Sequence, residues 1–283
     1  MSRQRLKNLP GGSNPQPLSV VIGHRGLAAR FPENTLVSFA AALQAGASMI
    51  ELDLRLSADG QAVVIHDATV DRTTNGTGLI KSINLKDLQK LDAGYHFSTD
   101  GKTRPFRSCG LTVPTLQQVF EAFPQAHIAV ELKDDSTALI AEVYRLVKQF
   151  GRFDRTLIQV FSIKSKLGKS LRKLDERLIT GHTTSEMVLF GTLSRMRLSA
   201  LWRRRSLILD VPVKRGRLPV VTGSFVKAAH RRGLIVLAWT VNEAKELERL
   251  YKLGVDGVYT DDVAAAHTII EQLRRRYSDG AAR

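Results

Sequence analysis

Short apolar runs alternate with amphipathic stretches along most of this chain. The runs are Leu18–Gly23, Ser48–Asp53, His127–Leu132, Thr156–Val160, Arg177–Thr180, Ser206–Val211, Leu234–Trp239 and Val255–Tyr259. Most are rich in Val, Ile and Leu, as parallel strands buried on both faces require. Between them apolar residues recur at helical spacing, over Leu36–Ala45, Thr137–Phe150, Phe225–Arg232 and Glu243–Lys252. Eight such βα units predict a TIM-type (β/α)8 barrel, with an open doubly wound sheet as the alternative that pattern alone allows.

One region breaks the alternation. After Asp53 comes a strand-like run, Gln61–Ile65, then a stretch of turn formers, Asp71–Gly78. This predicts a small insertion after the second barrel strand, about residues 58–114. Asp59-Gly60 reads as a two-residue hairpin turn. That turn sets Ala58 opposite Gln61 and brings His66 opposite Asp53, at the C-terminal end of the second strand.

Length and charge refine the picture. At 283 residues the chain suits one barrel domain, expected over 18–283 behind a disordered leader of residues 1–17. No apolar run is long enough for a transmembrane helix, and Cys109 is the single cysteine. A cytoplasmic protein, at most peripheral at a membrane, is therefore expected. The net charge of +15 favours anionic partners, and the excess sits mainly in the C-terminal half. Lys164, Lys166, Lys169, Arg172 and Lys173 form one basic cluster; another runs from Arg195 through Arg203–Arg205 to Arg217. Nucleic acid is not expected, because the clusters lack interleaved aromatics for base stacking.

Polar residues gather at the predicted strand ends: His24 and Arg25, Glu51 and Asp53, Glu131 and Lys133, Trp239 and Asn242, Thr260 and Asp261. In a barrel these share one mouth. Glu51 and Asp53 lie two apart and so on one face of a strand. With Glu131 they offer three hard oxygens, suited to Mg²⁺ or Ca²⁺. Two histidines suit proton transfer near neutral pH, and Arg25 and Lys133 suit phosphate oxygens. Singly, each residue has an ordinary structural explanation: a packed histidine, a surface ion pair at Glu131 and Lys133, a turn capped by Asp67.

The order and spacing of Gly23-His-Arg-Gly26, Pro32-Glu-Asn-Thr35, Glu51-Leu-Asp53, Ala58-Asp-Gly60, His66-Asp67 and Arg72-Thr-Thr-Asn-Gly76 resemble the glycerophosphodiester phosphodiesterase family. Pro114-Thr-Leu116, Glu131-Leu-Lys133, Trp239-Thr-Val-Asn242, Gly254-Val-Asp-Gly257 and Thr260-Asp261 continue the resemblance. It implies metal-dependent hydrolysis of glycerophosphodiesters on a TIM-like barrel. It implies a divalent cation on Glu51, Asp53 and Glu131, and His24 and His66 as acid–base pair. Arg25 and Lys133 would hold the phosphate, Trp239 would line the pocket, and Glu33 and Asn34 would support the metal or His24. The Asp262-Val263 step departs from the family pattern, at the start of the last helix.

Two further readings stand beside this one. A subset of the family resembles lysophospholipase D and acts on lysophospholipids. Leu189, Leu193, Met196 and Ala200 follow helical spacing, with Arg195 placed opposite and Trp202 beside Arg203–Arg205. That segment suits peripheral contact with an anionic membrane, or an outer barrel helix whose stripe packs on the sheet, or both. The third reading is a non-catalytic, anion- or membrane-binding barrel.

Overall fold

The computed structural model describes residues 16–160, 166–203 and 206–279. Of the expected leader only Gln16 and Pro17 fall among them, and Lys164, Arg204 and Arg205 lie outside. All eight apolar runs form strands. In chain order the strands are β1 (Val20–Gly23), β2 (Met49–Leu56), a short β3 (Ala62–Val64), β4 (Ile128–Leu132), β5 (Thr156–Gln159) and β6 (Ile179–Thr180). Then follow β7 (Ile208–Pro212), a hairpin of β8 (Lys214–Arg215) and β9 (Leu218–Pro219), β10 (Ile235–Trp239) and β11 (Gly257–Thr260).

The main sheet runs β6-β5-β4-β2-β1-β11-β10-β7, every pair parallel. The last strand thus returns beside the first, as a barrel demands and an open doubly wound sheet does not. Between β6 and β7 the ladder gives way to side chains: Ser206 Oγ donates to the Thr180 carbonyl, and His182 Nδ1 bonds the Ile208 carbonyl at 2.6 Å. The barrel is nearly closed.

Helices surround it: α1 (Leu36–Gln44), α2 (Leu85–Leu88), α3 (Leu116–Ala122), α4 (Thr137–Gln149), α5 (Lys166–Leu174), α6 (Thr184–Arg195), α7 (Gly223–Arg231), α8 (Ala244–Leu253) and α9 (Val263–Asp279). Thr35, Thr115, Ser136, Thr183 and Thr222 cap α1, α3, α4, α6 and α7, each side chain accepting a backbone N–H of the first turn. Such caps satisfy donors that the helix itself leaves unpaired. The helices' inner faces and the outward strand residues, such as Val21, Leu52 and Val130, form one large apolar core.

The inward residues form a second cluster: Val20, Ile22, Met49, Ala129, Leu157, Ile208, Leu237 and Tyr259 among them. Strand alternation carries six of these inner apolar positions to a polar one two residues on. Ile22 leads to His24, Met49 to Glu51 and Asp53, Ala129 to Glu131, Leu157 to Gln159, Ile208 to Asp210 and Tyr259 to Asp261. The lumen therefore changes from apolar to charged within one step, toward the C-terminal strand ends.

Two sequence expectations are corrected. β3 pairs with β2 one residue out of the expected register: Leu54 faces Val64, and Ile65 rather than His66 donates to the Asp53 carbonyl, at 2.9 Å. The loop holds three residues, closed by a Ser57–Gln61 bond, with Gly60 at φ +79° in the left-handed region. Ser57 and the Leu85 N–H both bond Asp59, which fixes this longer turn. The α6 region differs too. Its buried stripe is Met187, Phe190 and Ser194, while Leu189 and Met196 face solvent beside Arg195, not opposite it. Trp202 is buried, its ring 5.1 Å from Phe190 and 4.8 Å from His182, so it anchors the segment to the core instead of reaching an interface.

Closure leaves no room at Gly257. A Cβ there would lie 2.5 Å from the Val20 carbonyl oxygen and 2.6 Å from the Val20 Cβ. Gly257→Ala is expected to lower unfolding free energy by about 1–3 kcal/mol through overpacking. Urea denaturation measures this, and an unchanged midpoint would mean that the β1–β11 seam widens freely.

Candidate active site

The site is assembled at the strand ends. Glu51 and Asp53 project inward from β2 and Glu131 from β4, where Asp53 and Glu131 are register neighbours. Ligand oxygens of all three carboxylates lie within 4.8 Å of one another, and Glu51 and Asp53 are buried. Three carboxylates so close, away from water, cannot all stay ionised unaided. Burial and the neighbouring Asp53 push Glu51 up to about 8, with His24 working the other way. Glu131 is raised by burial and by Asp53 against the pull of Lys133. Burial would raise Asp53 as well, but Lys133, Arg25 and Asn34 hold it below the ordinary carboxylate range. Hard oxygens gathered around an excess of negative charge form a donor set that a divalent cation fits.

Two cations and an amide brace the cluster. Lys133 Nζ lies 2.6 Å from Glu131 and 3.0 Å from Asp53. The Arg25 guanidinium lies 3.1 Å from Asp53 and 2.9 Å from Glu33, and the Arg25 backbone N–H donates to Glu51 at 3.0 Å. Asn34 donates through Nδ2 to Asp53 at 2.9 Å and accepts the Asp53 N–H at 3.2 Å. Arg25 and Asn34 adopt φ of +55° and +58°, uncommon for residues with a Cβ. These are the conformations that aim the Arg25 N–H at Glu51 and the Asn34 amide at Asp53.

Each mouth histidine is held through Nδ1 by a carboxylate. His24 Nδ1 meets Asp261 at 2.7 Å, and Asn242 in turn bonds Asp261 through its side chain and accepts its backbone N–H. Burial disfavours the charged imidazole, yet the Asp261 bond and the field of Glu51 raise the His24 pKa overall. His66 Nδ1 meets Asp67 at 2.6 Å. Arg72 ties the two sides of the mouth, at 2.6 Å from Asp67 and 2.7 Å from Glu33. The Arg72 hydrogen bond is the largest influence on Asp67 and holds it well below the ordinary range. In both pairs it is Nδ1, not Nε2, that meets the carboxylate.

The predicted site residues thus converge, though not always on the expected partners. His66 sits past the end of β3, and its charge bears on Asp53 and Glu131 even though the register that first placed it there is wrong. Asn34 serves Asp53, whereas Glu33 serves the two arginines. Trp239 packs on the inner cluster at the end of β10. Residue-by-residue reasoning gives no role to Arg72 or Asp261 and offers a turn cap only as the ordinary explanation of Asp67. Their signal was a charged residue beside a histidine or within a motif, which says nothing of the partner without the fold. One layer deeper, Gln159 Nε2 donates to the Tyr259 hydroxyl, and Tyr259 donates to Asp210, which burial pushes up to about 6.

Comparison with known proteins agrees with this architecture. The sequence profile of the glycerophosphoryl diester phosphodiesterase family matches residues 24–265. A glycerophosphodiester phosphodiesterase of Caldanaerobacter subterraneus subsp. tengcongensis is 31% identical over 262 residues, 91% of this chain and 98% of that one. Lysophospholipase D GDPD1 of Mus musculus is 27% identical over 274 residues, covering 86% of this chain and 83% of its own. The solved structure of an Oleispira antarctica phosphodiesterase, in complex with the product sn-glycerol-3-phosphate, shares 29% identity at a TM-score of 0.74, over 90% of this chain and 97% of that one. Every mouth residue described above falls within the matched span, and the chain belongs to the glycerophosphoryl diester phosphodiesterase family of phosphoric diester hydrolases.

Proposed function

We propose that the chain hydrolyses glycerophosphodiesters to glycerol 3-phosphate and an alcohol, with Glu51, Asp53 and Glu131 holding a divalent cation and His24 and His66 moving the protons. The observation that carries this reading is the carboxylate cluster at a mouth where each histidine is held through Nδ1 by its own carboxylate. The glycerol 3-phosphate bound to the Oleispira antarctica relative supports the product.

Breaking a phosphodiester needs a proton taken from the attacking oxygen and one given to the leaving alkoxide. Asp261 and Asp67 hold His24 and His66 in the Nδ1–H tautomer, so Nε2 of one accepts and Nε2 of the other donates. Arg25 and Lys133 reach the mouth while partly shielded, and bind the phosphate oxygens. Mg²⁺ or Ca²⁺, when bound, offsets phosphoryl charge and keeps Glu51 and Glu131 ionised. Glu33 and Asn34 hold Arg25 and Asp53 in place, and Trp239 lines the pocket. The barrel domain comprises residues 18–283, with the segment of about 58–114 inserted to supply His66, Asp67 and Arg72. A binding-only barrel would have no use for a buried carboxylate cluster beside two oriented histidines.

Three outcomes are expected. His24→Ala and His66→Ala each reduce kcat on glycerophosphocholine about 10²–10⁴-fold with the circular dichroism spectrum unchanged; a wild-type rate in either removes that residue from proton transfer. Excess EDTA abolishes turnover and Mg²⁺ or Ca²⁺ restores it, while full activity after exhaustive chelation would remove the cation from the reaction. Asp261→Asn deletes the carboxylate that favours charged His24, so the His24 pKa falls. The limb of the kcat profile that reports His24 then moves to lower pH, whichever proton it handles, and a limb that stays put would separate Asp261 from catalysis. Glycerophosphocholine and lysophosphatidylcholine run side by side decide the substrate: lysophosphatidic acid as the main product would move the enzyme to the lysophospholipid reading, which the resemblance to Lysophospholipase D GDPD1 supports.

A further inference from the structure

Between Glu186 and Glu243 the chain carries eleven Lys and Arg but one acidic residue, Asp210. Asp210 is buried inside the barrel, so the surface of this stretch has no anion among the described residues. It contributes +10 of the chain's net charge of +15. The same stretch is where apolar side chains meet water. Of the nine large hydrophobic residues exposed among the described residues, six fall between Val188 and Leu218.

These side chains form one surface. Val188 and Arg195, like Leu189 and Met196, are seven apart on or just past α6 and share its outer face. Leu198 and Leu201 follow in the segment that the buried Trp202 ring folds back onto Phe190. Arg195 then bridges to the hairpin by donating to the Pro219 carbonyl at 3.4 Å, next to Leu218, which is 65% exposed. Arg195, Arg197 and Arg203 on the helix side and Lys214, Arg215 and Arg217 on the hairpin are all exposed around these apolar residues. The hairpin leaves β7 directly after Pro212, the register partner of Trp239 at the mouth, so the surface borders the active site.

We infer that this face, α6 and the segment after it together with the β8–β9 hairpin, docks on an anionic phospholipid bilayer. Charge complementarity selects the occupant: cations without intervening acids attract anionic headgroups, and the apolar side chains among them enter the interface. A nucleic acid would use the cations but gain nothing from Leu189, Met196 and Leu218. No described helix is long and apolar enough to cross a membrane, so contact at the surface is the mode this face provides.

The test is cosedimentation of the full chain with vesicles of phosphatidylcholine alone or mixed with phosphatidylglycerol, at low and high salt. Binding is expected only to the mixed vesicles and is expected to weaken with salt. Each cation near the surface strengthens partitioning about fivefold. Arg215→Glu with Arg217→Glu is therefore expected to weaken it by more than about 25-fold. Met196→Asp with Leu218→Asp is expected to abolish it as well, since both side chains are more than half exposed and the fold does not need them. Turnover of soluble glycerophosphocholine stays at the wild-type rate in both double variants. Equal binding to neutral vesicles overturns the inference, as does retained binding in the Arg double variant. It is also overturned if duplex DNA is bound in preference to the vesicles and the apolar substitutions change nothing. Docking is scored without turnover, so an inactive protein that still binds would count against the proposed reaction alone.

Discussion

The barrel is organised around an electrostatic problem of its own making: three carboxylates facing one another where water is largely excluded. Isolated carboxylates do not remain charged in such a place unless opposite charge and hydrogen bonds are supplied. The structure supplies both in layers. Lys133 and Arg25 approach Asp53 from two sides, Asn34 closes a two-bond ring with it, and the Arg25 N–H reaches Glu51. Glu33 and Arg72 then hold Arg25 and link it to the loop of Asp67. Much of the turn after β1, with two non-glycine residues at positive φ, exists to aim these groups, which is where backbone strain is usually stored. Even so, Glu51 and Glu131 remain above their ordinary range, which leaves the site short of positive charge by design of its donors.

How much of this was readable from the sequence follows from the range of each interaction. The eight strands were legible because burial on both faces writes itself as continuous apolar runs. The carboxylate cluster was legible because strand alternation is local: once Met49 faces inward, Glu51 and Asp53 must follow. The β2–β3 register was not, because it turned on the side chain of Asp59, which bonds Ser57 and the distant Leu85 N–H and so stabilises a three-residue loop. A one-residue difference in loop length shifts every pair. Arg72 and Asp261 were quoted as parts of motifs but had no assigned partner, since Asp261 meets His24 across 237 residues of sequence. Contacts of that span belong to the closed barrel, not to any stretch of chain.

The α6 region shows a different limit. Helical spacing identifies an apolar stripe but not which side of the helix faces the core when two stripes exist. Leu189 and Met196 satisfied the spacing as well as Met187 and Phe190 did. What decided between them was the neighbourhood: Phe190 meets Phe225 at 5.3 Å and Trp202 at 5.1 Å, an aromatic cluster that only the folded α7 and the following segment can complete. The stripe left outside then lies among arginines, and the same two-faced helix both packs the barrel and presents a surface.

The two histidine–carboxylate pairs connect these layers to the proposed chemistry. Asp261 is positioned by Asn242, which follows β10, while Asp67 is positioned by Arg72 from the inserted segment. The pairs are therefore built from opposite sources, one from the barrel's own strand ends and one from an addition to it. Their common logic is that a carboxylate on Nδ1 fixes the ring and leaves Nε2 facing the mouth. The environments differ: His24 lies deeper and feels Glu51, whereas Asp67 is shared between His66 and Arg72. The same contact thus holds two rings in different charge environments, His24 beside a buried carboxylate and His66 beside a carboxylate that an arginine also claims.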